Sequence, residues 1–272
     1  MRIHKRYIQI IIGGFIVCLM LGVAIFGPFF VKTNPLEMNV MDRLQPPSAQ
    51  HWFGTDSFGR DLFSRIIYGA RISLEIGLSV TIISGIAGIF IGLISGYYKK
   101  LDSVLMRIMD AMMSFPALLL AMVLVASLGS GLQNIILALA ITSIPKVGRM
   151  VRGVVLSVKQ MEHVEAAEVI GAKDNRIMFF HILPLSLSPA IVQLTSIMAN
   201  TVLSEASLTF LGVGLQPDIP SWGNIINEGR MLLQQAPWLT VIPGLCIMIT
   251  VLAFNLVGDS LRDLLDPRLR NI

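Results

Sequence analysis

The sequence is short of charge. Asp, Glu, Lys and Arg supply 14% of its 272 residues, where soluble domains carry about 25%, so a globular fold with a solvated shell is excluded. Cysteine is scarce as well. Cys18 and Cys246 both fall inside apolar runs, which argues against a disulfide framework. The histidines at positions 4, 51, 163 and 181 lack metal-ligand spacing, and no metal site is expected. Nucleotide-binding and catalytic signatures are missing: there is no Gly-x-x-x-x-Gly-Lys-Ser/Thr, no His-Glu-x-x-His and no Gly-x-Ser-x-Gly. Such a chain is expected to bind no cofactor and to catalyse no reaction. Any energy it uses must come from a partner or a gradient.

What the sequence has is apolar length. Hydrophobic residues make up 54%, and several uncharged runs exceed the roughly 18 residues that mark a membrane span. The fold class expected is an all-α polytopic membrane protein. A basic start, Arg2, Lys5 and Arg6, precedes the uncharged run from Tyr7 to Val31. That run is long for a signal-peptide core and no small-x-small cleavage site follows, so it reads as a first span. Residues 32–73 form a connector whose second part, from His51 to Arg71, places Leu62, Ile66 and Ile67 on one helical face. This predicts an interfacial amphipathic helix leading into the next span. In the following run, Gly88-x-x-x-Gly92-x-x-x-Gly96 sets small residues on one face, a pattern that lets another helix approach closely.

Residues 111–145 are uncharged. As one helix they would rise about 52 Å, too long for a core of about 30 Å, and Gly129-Ser130-Gly131 supplies a turn. Two spans fit. The spans expected are therefore 7–31, 74–98, 108–128, 132–152, 185–211 and 238–258. With six spans, most basic residues, including Lys99, Lys100, Lys146, Arg149, Arg152, Lys159, Lys173 and Arg176, fall on the same side as the N-terminus. The opposite side keeps Lys32, Arg43, Arg60, Arg65, Arg71 and Arg230. The positive-inside bias then places both termini in the cytoplasm. It also accounts for the net charge of +4 without nucleic acid. The organisation read from the chain is residues 1–31 as N-terminus and first span, 32–73 as external connector, 74–258 as a five-span core with a cytoplasmic loop at 153–184, and 259–272 as a cytoplasmic tail.

That loop is the charged insert in an otherwise apolar chain. Its first helix, about Ser157 to Ile170, sets Val158, Met161 and Val164 against Lys159, Glu162 and Glu165, and Gly171 is placed to end it. Asp174 or Asn175 can cap a second helix carrying Ile177, Phe180 and His181, and Pro184 suits the first turn of the next span. A helix pair with an apolar ridge flanked by charge is a docking element. Within the fifth span lie Pro189, Gln193, Asn200 and Glu205. A carboxylate in a span is a functional candidate, although Glu205 falls near the external interface.

Glu165-Ala166-Ala167-x-x-x-Gly171, running on to Leu183-Pro184, resembles the "EAA" loop of integral-membrane subunits of ABC importers. Further stretches resemble the second permease of the dipeptide/oligopeptide/nickel group: Gly54-Thr-Asp56 with Gly59-Arg-Asp61, Ser114-Phe-Pro116, Phe210 to Pro217, Trp222-Gly223, and Asn255-Leu-Val-Gly-Asp259 with Asp266-Pro-Arg268. The resemblance covers roughly residues 42 to 269. It implies a type I importer permease with an N-terminal span and a five-span core in the cell membrane, paired with a homologous permease as a heterodimer. It also implies two cytoplasmic ATP-binding subunits, which would hold the ATP and magnesium, and an external solute-binding protein. Glu165, Ala166, Ala167, Gly171 and Pro184 would then couple to the ATPase, and Gln193, Asn200 and Glu205 become candidates for the translocation pathway. Peptides are the expected cargo, with nickel or metal chelates second and glutathione-like compounds behind. A gradient-driven secondary transporter is the rival class, but such folds show paired repeats with broken helices, and Glu205 is its one candidate ion-coupling carboxylate.

Overall fold

The computed structural model describes residues 2–31 and 33–265. Lys32 and the Asp266-Pro267-Arg268 end of the C-terminal signature lie outside the described residues. The described chain is helical throughout, with one isolated bridge between Thr55 and Asp61. The elements are α1 (Arg2–Phe30), α2 (Leu62–Tyr97), α3 (Lys99–Met113), α4 (Ala117–Leu128), α5 (Leu132–Val158), α6 (Glu162–Val169), α7 (Asp174–Arg176), α8 (Leu183–Phe210), α9 (Trp222–Gly229) and α10 (Trp238–Leu265). A π turn, Ile177–Ile182, joins α7 to α8. Among the described residues, five helices are long and apolar enough to cross a membrane, and the bent pair α3–α4 makes a sixth.

Two apolar cores share two helices. In the first, α2, α5 and α8 close around Ile76, Val80, Leu139, Val147, Val151 and Ile197. In the second, the other faces of α2 and α8 meet α1, α9 and α10 around Leu74, Val202, Trp222 and Leu239. The glycine ladder explains how α2 and α5 come so close. A Cβ on Gly88, Gly92 or Gly96 would lie 2.5, 2.6 and 2.6 Å from the Cβ of Val147, Val151 and Val155 respectively. Each glycine therefore seats one valine, turn by turn. The spacing expected to permit close packing does so here, with α5 as the partner.

The third span departs from the expectation of one helix over 108–128. The chain bends by 91° between α3 and α4. Pro116 favours the break, because its ring disfavours α conformation at Phe115 and it has no N–H to donate. α4 has 12 residues, about 18 Å, and covers only the first part of α5. In α3, Leu101, Val104 and Ile108 are exposed along one face between Lys100, Asp102, Arg107 and Asp110. This is the interfacial amphipathic pattern.

The amphipathic helix expected in the connector is not a separate element. Helix begins at Leu62 and runs unbroken as α2 to Tyr97, and Leu62 and Ile66 are buried in the second core. Upstream, the chain forms a compact loop in which Gly54 (φ 80°) and Gly59 (φ 72°) take the left-handed conformation that favours glycine. The Asp61 carboxylate caps α2 by accepting from Ser64 N at 2.9 Å. Arg60 and Arg65, counted among the basic residues of the external side, are buried. Arg60 Nε donates to Asp56 Oδ2 at 2.6 Å and Arg60 Nη2 to Glu228 Oε2 at 2.7 Å. Arg65 donates to Asp56 at 2.5 Å and to both oxygens of Glu228 at 2.6 and 2.9 Å. Two guanidinium and two carboxylate groups thus balance, and they lock the connector and the start of α2 onto α9.

Two measurements follow. Gly92→Leu should push α5 off α2 at a cost of about 1–3 kcal/mol, lowering the unfolding midpoint of the purified protein. Gly14→Leu, where a side chain meets open space, should leave it unchanged. Arg65→Met should cost about 3–5 kcal/mol, because it leaves Asp56 and Glu228 with Arg60 as their one remaining guanidinium, and adding Glu228→Gln should restore part of that loss in the same unfolding assay.

Candidate functional site

The α5–α8 loop is shaped by where its apolar residues can go. α5 continues to Val158, further than the expected limit of its span, and α6 starts only at Glu162. Glu162 and Glu165 occupy the first turn of α6, where the helix dipole favours negative charge. Gly171 ends the helix with φ +82°. Its N–H donates to Glu168 O at 3.0 Å and Ala172 N donates to Ala167 O at 3.0 Å, the paired bonds of a Schellman cap. A Cβ at Gly171 would meet nothing within 4 Å, so backbone conformation and not space requires glycine there.

The second expected loop helix is instead the beginning of the fifth span. α7, the π turn and α8 form one helix of 37 residues, Asp174–Phe210, about 55 Å long. Its first turns project beyond the apolar core. Asp174 is its first residue, and neither Asp174 nor Asn175 supplies a side-chain cap. Pro184 sits at the start of α8. A proline there removes the bond to the carbonyl four residues back and crowds it, and the wider π turn accommodates both effects.

The docking ridge differs in part from the one expected, of which Met161 and Phe180 do face outward. Val158, Val164 and Ile177 turn inward and are buried in the first core, as is Ala167. The 3-residue spacing found the apolar face of these helices, but tertiary packing consumes it. What faces outward is Val169 and Ile170, 87% and 83% exposed, with Phe180 at 76%. Glu165, Ala166 and Gly171 are exposed beside them. Lys173, Asn175, Arg176, Phe179, Phe180 and His181 line a cleft of about 850 Å³. Exposed apolar side chains ringed by charge, on a segment projecting past the spans, form a surface suited to a protein partner.

This surface is tied to the bundle at the end of α2. The Tyr97 and Tyr98 hydroxyls donate to the two oxygens of Asp174 at 3.0 and 3.3 Å. Reduced hydration together with the Asp174 carboxylate holds the Tyr98 phenol above its usual pKa. The Lys159 ammonium lies 4.5 Å above the Tyr97 ring centre and donates to the Tyr97 carbonyl at 3.2 Å. Both ends of the loop therefore meet one tyrosine pair.

The span candidates divide into two places. Gln193 and Asn200 line a small cavity of about 80 Å³ between α4, α5 and α8, together with Thr142, Ser143 and Lys146. Gln193 also lines an adjoining cavity of about 520 Å³ with Ser196, Asp259 and Arg262. Glu205 lies in neither. It is fully buried and accepts hydrogen bonds at 3.1 Å from Ser73, Thr209 and Ser221, joining α2, α8 and the segment before α9. Lys146 falls inside the expected fourth span but was counted with the basic residues of the N-terminal side, and Asp259 was counted with the tail. The long helical bounds of α5 and α10 place both on span helices.

Comparison with known proteins agrees with this architecture. The family model "Binding-protein-dependent transport system inner membrane component" matches residues 88–271, and "N-terminal TM domain of oligopeptide transport permease C" matches residues 10–47. The dipeptide transport system permease protein DppC of Alkalihalophilus pseudofirmus is 46% identical over 96% of this chain and 86% of its own. The glutathione transport system permease protein GsiD of Pectobacterium atrosepticum is 43% identical over 99% and 90%. A solved structure titled as an amino acid ABC transporter with histidines matches with a TM-score of 0.56 at 16% identity, over 78% of this chain and 95% of that one; this likeness concerns the fold alone. With the family model covering most of the helical core and relatives aligning almost end to end, the chain belongs to the binding-protein-dependent inner-membrane components, the permeases of ABC importers.

Proposed function

We propose that this chain is one of two homologous permeases in an ATP-driven importer that receives peptides from an external solute-binding protein. The observation that carries the reading is the outward surface of α6 and α7: Val169, Ile170 and Phe180 exposed, beside Glu165 and Arg176, on a segment clamped to the bundle. A permease without a nucleotide-binding loop of its own needs such a surface to receive work from ATP-hydrolysing subunits, which hold the ATP and magnesium. The distribution of basic residues supports a cytoplasmic position for this loop and for both termini. Peptide is favoured over nickel or metal chelates because relatives aligned over nearly the whole chain are named for dipeptide, peptide and glutathione transport.

In this mechanism, closure of the two ATPase subunits moves α6 as a rigid piece. Glu165 and Ala166 lie at the contact, Ala167 anchors the helix from beneath, and Gly171 sets the turn into Asp174–Phe210. The long helix carries the displacement past Pro184 into the membrane, where Gln193 and Asn200 face the path. Glu205 holds the opposite end of α8 in place and does not meet the cargo.

The surface residues test this. Ile170→Glu and Phe180→Asp remove exposed apolar contacts and touch no core residue, so the protein should reach the membrane at normal levels. ATP-dependent uptake of a labelled dipeptide should fall about tenfold or more, as expected for loss of an apolar hot spot. Gly171→Val forces a branched side chain into the left-handed conformation and should lower uptake, whereas Gly171→Asn should retain most of it. Undiminished uptake by Ile170→Glu and Phe180→Asp together would refute the assignment.

A further inference from the structure

α5 carries three cations in succession, and the structure treats them differently. Arg149 pairs with Asp110, and Arg152 donates to both oxygens of Asp102 at 2.5 and 2.6 Å. Lys146 has no hydrogen-bond or ion-pair partner among the described residues. It lies one turn, about 4.5 Å at 1.5 Å per residue, from Arg149, on the span side of the pairing with the interfacial helix α3, and its side chain is exposed in the single chain. An unpaired ammonium there is costly against lipid and marks a wet path or an absent counter-ion.

The surroundings specify what the ammonium can meet. Lys146 is the one charged residue lining its cavity, whose other polar walls are Thr142, Ser143, Gln193, Asn200, Thr201 and Ser204. Three of the neighbouring donors are committed to backbone. Thr142 and Ser143 donate to the Leu139 carbonyl at 3.0 and 2.8 Å, and the Asn200 amide donates to the Ser196 carbonyl at 2.8 Å. That leaves Lys146 as the free cationic donor. The volume of about 80 Å³ compares with about 30 Å³ for one water in the liquid. It accommodates a carboxylate and its first hydration partners and is too small for a whole peptide. Through Gln193 it adjoins the larger cavity that holds Asp259 and Arg262, so an anion leaving Lys146 has a polar continuation towards the N-terminal side.

We propose that Lys146 is a carboxylate-binding station within the membrane, which receives the α-carboxylate of a peptide in transit and releases it past Gln193. The assignment rests on the peptide-import reading above. One charge-assisted contact is strong enough to select an anionic end, and a lone one leaves the cargo free to move on.

The test uses the full complex in proteoliposomes with its binding protein and ATP, and compares initial uptake of a labelled dipeptide with that of the same dipeptide amidated at its C-terminus. Lys146→Met should reduce uptake of the free acid about tenfold, the loss of one hydrogen bond to a charged group, and change uptake of the amide less than about twofold, since the amide lacks the charge that Lys146 reads. Lys146→Arg should keep the preference for the acid. An unchanged acid-to-amide ratio in Lys146→Met would overturn the assignment. So would loss of both substrates with loss of subunit assembly, which would make Lys146 a contact with the other permease. Failure of the wild-type complex to import either peptide would instead overturn the peptide reading, and this assignment with it.

Discussion

The close approach of α2 and α5 is the constraint on which the rest depends. Gly88, Gly92 and Gly96 leave room for Val147, Val151 and Val155, and lipid supplies no hydrophobic force to hold two helices together, so dispersion at short range must do it. That ladder brings the end of α2 to the end of α5. Tyr97 and Tyr98 can then reach both Lys159 and Asp174, and the loop between α5 and α8 is held at both ends. Without the ladder the outward surface of α6 would be held less firmly to the spans, and in the proposed mechanism a push on it would be poorly transmitted.

Polar groups divide into those that are satisfied and those that are not. The Asp56–Arg60–Arg65–Glu228 group and the hydroxyl ring around Glu205 are buried and paired, and both stiffen the side opposite the loop. In a low-dielectric setting such groups are tolerated because each has partners. Lys146 has none among the described residues, and Gln193 and Asn200 share its cavity. The satisfied groups hold the frame, and on the proposed reading Lys146 and the cavity beside it meet what passes.

Much of this was legible in the sequence, and the reasons for the rest are specific. Apolar run length revealed the spans, and the helix-ending role of Gly171 followed from its position after a periodic segment. The glycine spacing on α2 was readable as a packing face, although its valine partners were not, because pairing is a long-range property. The bend at Pro116 was missed because residues 108–128 are apolar enough to read as one span, while a single proline decides the direction. The burial of Arg60 and Arg65 was not legible because periodicity cannot see Glu228, which is far along the chain. Val158, Val164 and Ile177 were assigned to the docking ridge for a similar reason: spacing finds an apolar face but does not say whether the protein's own core already uses it.

The central claim is that the α6–α7 surface receives an ATP-hydrolysing partner. It is tested most directly by placing a photoreactive side chain at Ile170 and irradiating the assembled complex in membranes. The account predicts a cross-link to the ATPase subunit that shifts in yield between the ATP-bound and nucleotide-free states, with no such product from a probe at Asp218 on the opposite side. A cross-link from Ile170 to the external binding protein or to lipid, or an ATPase cross-link from Asp218, would contradict it.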